Sequence, residues 1–314
     1  MYVGLLFVSK DKVFHIMYCK LEKGEVIMGI GDIVVRKSYG KDITFKIIDI
    51  KEVENEVIYV LKGINIRIIA DSPSGDLEVV RADFSGEKDQ IFNRQVNNRI
   101  KKIISDRNEF TRIQKAPKIT PTKELMFGRP GKILHVDGDA TYMENCLKVY
   151  KQLGLDAVGQ VIPEREQPLK VIELVKQIKP DIVVLTGHDG IAKDASNYMD
   201  LENYRNSKYF VESVASLRDY NSSYDELVIF AGACQSCYEK ILDAGANFAS
   251  SPNRVLIHCL DPVFVCEKIA YTNIDKVVPI HEVLENTITG IKGIGGLQTR
   301  GKYREGFPKS PFVS

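Results

Sequence analysis

The spacing of hydrophobic positions changes twice along the chain, and each change marks a different kind of structure. From Gly31 to Val80, short runs rich in Val, Ile and Phe alternate with turn formers. Ile33–Arg36, Thr44–Ile50, Val57–Leu61 and Ile64–Ile69 read as strands, punctuated by Gly40-Lys41-Asp42, Glu54-Asn55 and Lys62-Gly63. So many strands in so short a stretch predict a small SH3-like β-barrel, a form that binds or positions. Over Glu87–Phe110 the spacing becomes helical, with Phe92, Val96, Ile100 and Ile103/Ile104 on one stripe. Ala116-Pro117 and Thr120-Pro121 then predict a linker.

After Gly131 strands and helices alternate. The predicted strands are Ile133–Val136, Ala157–Ile162, Ile182–Leu185, Leu227–Phe230, Val255–His258 and Lys276–Ile280. The predicted helices are Tyr142–Leu153, Pro168–Ile178, Leu201–Tyr220, Cys237–Ala244 and Val263–Tyr271. Uncharged Val/Ile/Leu strands separated by amphipathic helices predict an α/β fold, a parallel sheet covered on both faces. Sites in such sheets lie beyond the carboxyl ends of the strands. That rule selects His135-Val136-Asp137-Gly138-Asp139, Thr186-Gly187-His188-Asp189-Gly190 and Ala231-Gly232-Ala233-Cys234-Gln235-Ser236.

The first 27 residues admit two readings. Val3–Val8 and Val13–Tyr18 have strand character and would make a hairpin. Alternatively, one codon choice for Gly24-Glu25-Val26 contains the ribosome-binding string GGAGGTG just ahead of Met28, so that translation would begin there. A signal peptide is not expected, because Lys10, Asp11 and Lys12 interrupt the apolar stretch and no basic segment precedes it.

Composition narrows the function classes. The 314 residues carry 43 Lys plus Arg against 42 Asp plus Glu, a net charge of +1, which argues against a dedicated nucleic-acid binder. The ten basic and five acidic residues between Arg81 and Lys118 read as a solvated helix face. No apolar run reaches the ~18 residues of a membrane span. Six cysteines are too sparse for a disulfide framework, and a reducing cytoplasm is the expected home.

His188 and Cys234 each follow a predicted strand among small residues, and a helix is predicted just after Cys234. A cysteine at a helix N-terminus has its thiolate favoured by free N–H groups. Histidine and cysteine at the ends of successive strands suit a thiol nucleophile with its acid–base partner. The competing reading makes Cys234 a small buried hydrophobe and His188 a turn residue. Weaker signals are a Cys234/Cys237 redox pair, a zinc site from His135, His258, Cys259 and Cys266, and the Gly293–Gly296 loop. No metal or organic cofactor is expected.

A hydrophobic strand ending in His plus Gly (VVLTGHDG), then a second ending in Ala-Cys (VIFAGACQS), resembles the caspase-like cysteine peptidases. More closely, GDIVVRKSY (31–39), LTGHDG, FAGACQSC and GIKGIGGLQTRGKYREGFPKS (290–310) resemble the YabG family of sporulation-specific proteases, from about Met28 to the C-terminus. The resemblance implies a caspase-like catalytic unit at 131–290, preceded by the barrel (28–80) and a basic helical connector (81–130) and followed by a basic tail (291–314). It implies Cys234 as nucleophile, His188 as acid–base group, and the backbone N–H groups of Cys234 and Asp189 as oxyanion donors. Asp189 stands where such enzymes generally have glycine, so the loop shape is an open point. A thiolate of this kind needs a partly exposed, electropositive site.

The resemblance further implies cleavage after arginine, which calls for a carboxylate in the specificity pocket. The candidates are Asp137 first, Asp139 second and Asp261 third, each with the competing role of helix N-cap. Arg300 and Arg304 are candidate self-cleavage points, unless the tail docks on the sheet edge. The implied substrates are spore coat and cortex-processing proteins, with the enzyme in the cytoplasm of the sporulating cell or at the coat. The barrel would dock them, so that small-peptide cleavage would survive its removal. The rivals are a non-enzymatic scaffold built on a degenerate peptidase and a flavodoxin-like effector-binding domain. Oligomeric state is left open.

Overall fold

The computed structural model describes residues 28–54, 56–81, 84–114, 126–310 and 312. The strand readings at Val3–Val8 and Val13–Tyr18 and the linker at Ala116–Pro121 lie outside the described residues. In chain order the elements are β1 (Ile33–Arg36), β2 (Thr44–Val53), β3 (Glu56–Gly63), β4 (Ile69–Pro73), β5 (Leu77–Val79), α1 (Glu87–Gln114), β6 (Phe127–Arg129) and β7 (Ile133–Asp137). There follow α2 (Ala140–Gln152), β8 (Ala157–Val161), α3 (Gln167–Ile178), β9 (Ile182–Thr186), α4 (Ser207–Tyr220), β10 (Val228–Ala231), α5 (Tyr238–Asp243) and β11 (Phe248–Ser250). The chain closes with α6 (Asp261–Tyr271), β12 (Val277–Val278), α7 (Ile280–Asn286), β13 (Ile294–Gly296), β14 (Thr299–Arg300) and β15 (Arg304–Gly306).

The first five strands form an antiparallel sheet in the order β4-β3-β2-β1-β5. Period-two alternation puts Val34, Phe45, Ile47, Leu61 and Leu77 on its buried face, joined by Met28 and Tyr59. The larger sheet has the order β13-β11-β10-β9-β7-β8, parallel except for β13. Alternation again assigns its faces. Ile133, Ile182, Val184, Val228 and Phe230 pack with Tyr142, Tyr150 and Phe264 of α2 and α6, while Leu134, Val136, Val183, Leu185 and Ile229 pack with Val171, Phe210, Val214 and Leu217 of α3 and α4. Helices therefore cover both faces, and β7, β9 and β10 are buried throughout.

Two predicted strands do not belong to either sheet. Ile64–Ile68 and Val255–His258 are irregular, and they meet each other through an antiparallel bridge between Ile66 and His258. The fifth strand of the large sheet is instead Phe248–Ser250, whose short Phe-Ala-Ser run lies among Gly, Ala and Asn and shows no strand signal. Lys276–Ile280 contributes only β12, which pairs with β14 outside the large sheet. Ile294–Gly296, inside the predicted tail, completes that sheet. The helix predicted from Leu201 begins at Ser207, after a single 3-10 turn over Leu201–Asn203.

The small sheet is not an appendage. Tyr142 of α2 donates its hydroxyl to the carbonyls of Gly63 (2.5 Å) and Ile66 (2.8 Å), and Ile66 shares one apolar cluster with Val96, Ile103, Phe264 and Cys234. Tyr142→Phe keeps the ring and removes only the donor, leaving buried carbonyls short of a partner. It is expected to lower stability by about 1–3 kcal/mol. Urea unfolding should show this as a lower midpoint at unchanged slope; an unmoved midpoint would mean that these bonds add nothing net.

Candidate active site

Strand register sets the two predicted reactive residues at matching positions beyond adjacent strand ends. Ala231 of β10 pairs with Leu185 of β9, and Cys234 and His188 each stand three residues further on, beyond the carboxyl ends of adjacent parallel strands. The loop carrying His188 is tied down from below. Its backbone N–H donates to Glu164 Oε1 at 2.6 Å, and a Cβ on Gly138 or Gly187 would come within 2.3 or 2.2 Å of that same oxygen. Glycine at both positions lets one carboxylate lie against both loops.

His188 Nε2 lies 2.9 Å from Asp139 Oδ2. Its Nδ1 is buried and has no hydrogen-bond partner among the described residues. Asp139 also caps α2, accepting from the N–H groups of Thr141 and Tyr142, and meets Lys62 Nζ at 3.0 Å through both oxygens. Burial raises its carboxyl, but the bonds from His188 and Lys62 outweigh burial and hold it well below the usual carboxylate range. Asp139, predicted as a pocket residue or a helix cap, is therefore the cap and also the group that orients His188.

Cys234 is only 1% exposed. Its Sγ receives the Ile257 N–H at 3.2 Å and faces the Ile257 carbonyl at 3.8 Å. Burial pushes the thiol up to about 12, against the pull of the Ile257 backbone and Arg67. The partly exposed, thiolate-favouring cysteine expected from sequence is thus not what this arrangement holds. No helix starts at Cys234 itself; α5 begins four residues later, after a turn with Gln235 at φ +58°. That turn is braced by Asp189, whose carboxylate accepts from Ser207 Oγ (2.5 Å) and Ser236 Oγ (2.8 Å), while Ser236 Oγ accepts the Ala233 N–H. The side chain that replaces the expected glycine therefore fastens the His188 loop to the Cys234 loop.

The other acidic candidates part company. Asp137 is fully buried and its Oδ2 is 2.6 Å from Arg67 Nη2, an ion pair with no exposure on either side. It also accepts from Thr186 Oγ1 and the Asp139 N–H, so it is not an open pocket wall. Burial raises its carboxyl, and the charge and hydrogen bond of Arg67, with His135 and the Asp139 N–H, together lower it by more. Asp261 is buried too, but it accepts from the N–H groups of His258, Ile288 and Thr289 and from Thr289 Oγ1. Burial moves its carboxyl up to about 6. This carboxyl closes the loop beside α7 and faces no arginine side chain among the described residues.

Arg300 lies in β14, which pairs with β12, and Arg304 in β15, which pairs with β6, with Arg304 Nη1 3.0 Å from Asp181. The tail is docked, and a protease would have to unpair it first. His135 bonds Tyr150 and Thr186 through its two nitrogens, and His258 Nδ1 accepts the Leu260 N–H. Cys234 and Cys237 are free thiols. Sequence reasoning missed Lys62, Arg67 and Glu164. Lys62 and Arg67 are cations in a β-rich run, and Glu164 stands in the loop after β8; only the pairing of distant segments brings them here.

The whole site lies beyond the carboxyl ends of β7, β9 and β10, as expected for chemistry in a parallel sheet. A family model described as YabG peptidase U57 matches residues 29–308. The chain is also 42% identical, over 286 residues, to the "Sporulation-specific protease YabG" of Bacillus subtilis (strain 168), covering 89% of this chain and 97% of that one. The mixed sheet and its strand-end loops thus belong to a peptidase. Its family is the YabG peptidase U57 family, to which this chain belongs.

Burial holds His135 and His258 neutral, taking each from 6.5 to about 3. The folded state then binds fewer protons than the unfolded state, so stability is complete above pH 6.5 and falls as pH drops toward 3. His258→Asn retains an acceptor for the Leu260 N–H and should flatten that fall by up to about 1.4 kcal/mol per pH unit. Denaturant unfolding across this window reads the difference; identical slopes would show that His258 titrates normally.

Proposed function

We propose that the protein is a sporulation-specific cysteine endopeptidase that cuts after arginine in spore coat and cortex-processing proteins. In this reading the large sheet is caspase-like. The small sheet is an SH3-like barrel, supported by the β1–β5 pairing and the single 3-10 turn that joins β4 to β5. The observation that carries the reading is His188 itself. One ring nitrogen is fixed on Asp139 and the other lacks a partner among the described residues, at the register position that matches Cys234.

Cys234 Sγ attacks the scissile carbonyl carbon, and the carbonyl oxygen takes the negative charge. The N–H groups of Cys234 and Asp189, which have no protein acceptor among the described residues, receive that oxyanion. His188 Nδ1 takes the proton of the attacking Cys234 thiol and passes it to the leaving amine, the C–N bond breaks and a thioester remains. Water then attacks the thioester carbon with His188 as base, releasing the new carboxyl end and restoring the thiol. Asp139 holds the ring in place. Because the thiol is buried and held protonated here, the groups that cover Cys234 must move before attack. That burial is also what favours the second reading, a non-enzymatic scaffold.

Hydrolysis of a fluorogenic peptidyl-arginine amide separates the two. Cys234→Ala should lose about a thousandfold or more, and iodoacetamide should abolish the wild-type rate. His188→Ala should lose about a hundredfold or more. Asp139→Asn should behave like His188→Ala, because the amide favours the wrong ring tautomer. Cleavage indifferent to Cys234→Ala would end the cysteine mechanism, and no cleavage with an unreactive Cys234 would favour the scaffold.

A further inference from the structure

The connection between β3 and β4 lies where a peptide substrate would be expected. It runs antiparallel to the Val255–Cys259 segment. The Arg67 N–H donates to the Ile257 carbonyl (3.4 Å), the Cys259 N–H donates to the Asn65 carbonyl (3.0 Å), and Ile66 bridges His258. This is the way an extended peptide is held by a receiving strand, with backbone bonds for affinity and alternate side chains in pockets for selectivity. The receiving strand is also the one that lies on the nucleophile, since the Ile257 N–H points at Cys234 Sγ from 3.2 Å.

The side chain that this pairing turns inward is an arginine. Arg67 reaches from the β3–β4 connection to Asp137 at the end of β7 and is wholly buried. The Tyr142 ring lies 5.0 Å from its guanidinium carbon, and Cys146 Sγ and the Cys259 carbonyl face Nη2 at 4.0 and 3.5 Å. Nε and Nη1 have no hydrogen-bond partner among the described residues. A buried ion pair made for stability alone is expected to satisfy its remaining donors.

We infer that Asn65-Ile66-Arg67 occupies the enzyme's own substrate site. Arg67 sits as a substrate arginine would, Asp137 forms the base of its pocket, and Ile257–Cys259 is the strand that receives the substrate backbone. The chain is thereby held in a self-inhibited form. This inference rests on the cysteine-peptidase reading above. Two further contacts explain why the occupant is held and not cut. The Ile68 N–H, the nitrogen that would leave, is bonded back to the Ile66 carbonyl at 2.8 Å, folding the chain directly after Arg67. Lys62, five residues earlier, shares Asp139 with His188. A protein substrate must expel this segment to bind.

The test compares alkylation of Cys234 by a peptidyl-arginine chloromethyl ketone with alkylation by its citrulline counterpart, read by intact mass and peptide mapping. An occupant that fills the pocket nine-tenths of the time weakens a competitor about tenfold. Arg67→Ala, confirmed folded by circular dichroism, should therefore be labelled at least about tenfold faster than wild type by the arginine probe. The gain should be much smaller for the citrulline probe and should vanish in Arg67→Ala/Asp137→Asn. Equal gains for both probes, or no gain, would make Arg67 a structural residue and overturn the inference. Self-cleavage of wild type between Arg67 and Ile68 would also overturn it, by making the segment a substrate.

Should Arg67→Ala fail to fold, wild type decides. Labelling of Cys234 should raise amide hydrogen exchange at Ile64–Ile68, and unchanged exchange in the labelled protein would overturn the inference. Absence of labelling at Cys234 in both proteins, with no thiol-dependent cleavage, would instead defeat the cysteine-peptidase reading beneath it.

Discussion

The ion pair between Arg67 and Asp137 sets the terms for everything around it. Both partners are fully removed from water, and each alone would be an uncompensated buried charge. The pair therefore persists only while the surfaces that bury it stay in place. Those surfaces are the β3–β4 connection, the Val255–Cys259 segment and the first turns of α2. Its field reaches the chemistry as well: Arg67 lowers Asp137, opposes the burial of Cys234 and adds to the neutrality of His135 and His258. One guanidinium from the β3–β4 connection thus helps to set the protonation of groups in and beside the large sheet.

Around this pair the site has two halves at different stages of readiness. The histidine half is assembled. Glu164 fixes the loop, Asp139 fixes the ring, and the other ring nitrogen has no hydrogen-bond partner among the described residues. The cysteine half is closed, its thiol under the Ile257 backbone and raised to about 12. Asp189 joins the halves through Ser236, so a movement that uncovers Cys234 acts on the His188 loop as well. Burial restrains Cys234 without any modification, because a desolvated thiol stays protonated.

How much of this was legible in the chain depends on how local each signal is. Strand runs in the large sheet stood out because β7, β9 and β10 are buried on both faces and carry no charge before Asp137. His188 and Cys234 stood out because the strand-end rule needs only the order of elements. Phe248–Ser250 was missed because a three-residue strand between glycine and asparagine leaves no periodicity to read. Ile64–Ile69 and Val255–His258 were read as extended, and they do run against each other, but as a bridge between sheets rather than as members of one. Alternation in Ile64-Asn65-Ile66-Arg67 puts the arginine on the polar face, where solvent is the default partner.

The sequence by itself determined an α/β protein with helices on both faces of its sheet, and the strand ends at which histidine and cysteine would stand. It did so because burial imposes a period on the residues that make each element. Only the tertiary structure decided which carboxylates serve the site and how. Asp139 turned from pocket candidate to partner of His188, Asp137 was taken by Arg67, and Asp261 closed a loop. A carboxylate's role is set by the cation or N–H group that reaches it. Here that partner comes from segments 70 residues away for Asp137 and 49 away for Asp139 and His188, distances over which no periodicity carries information.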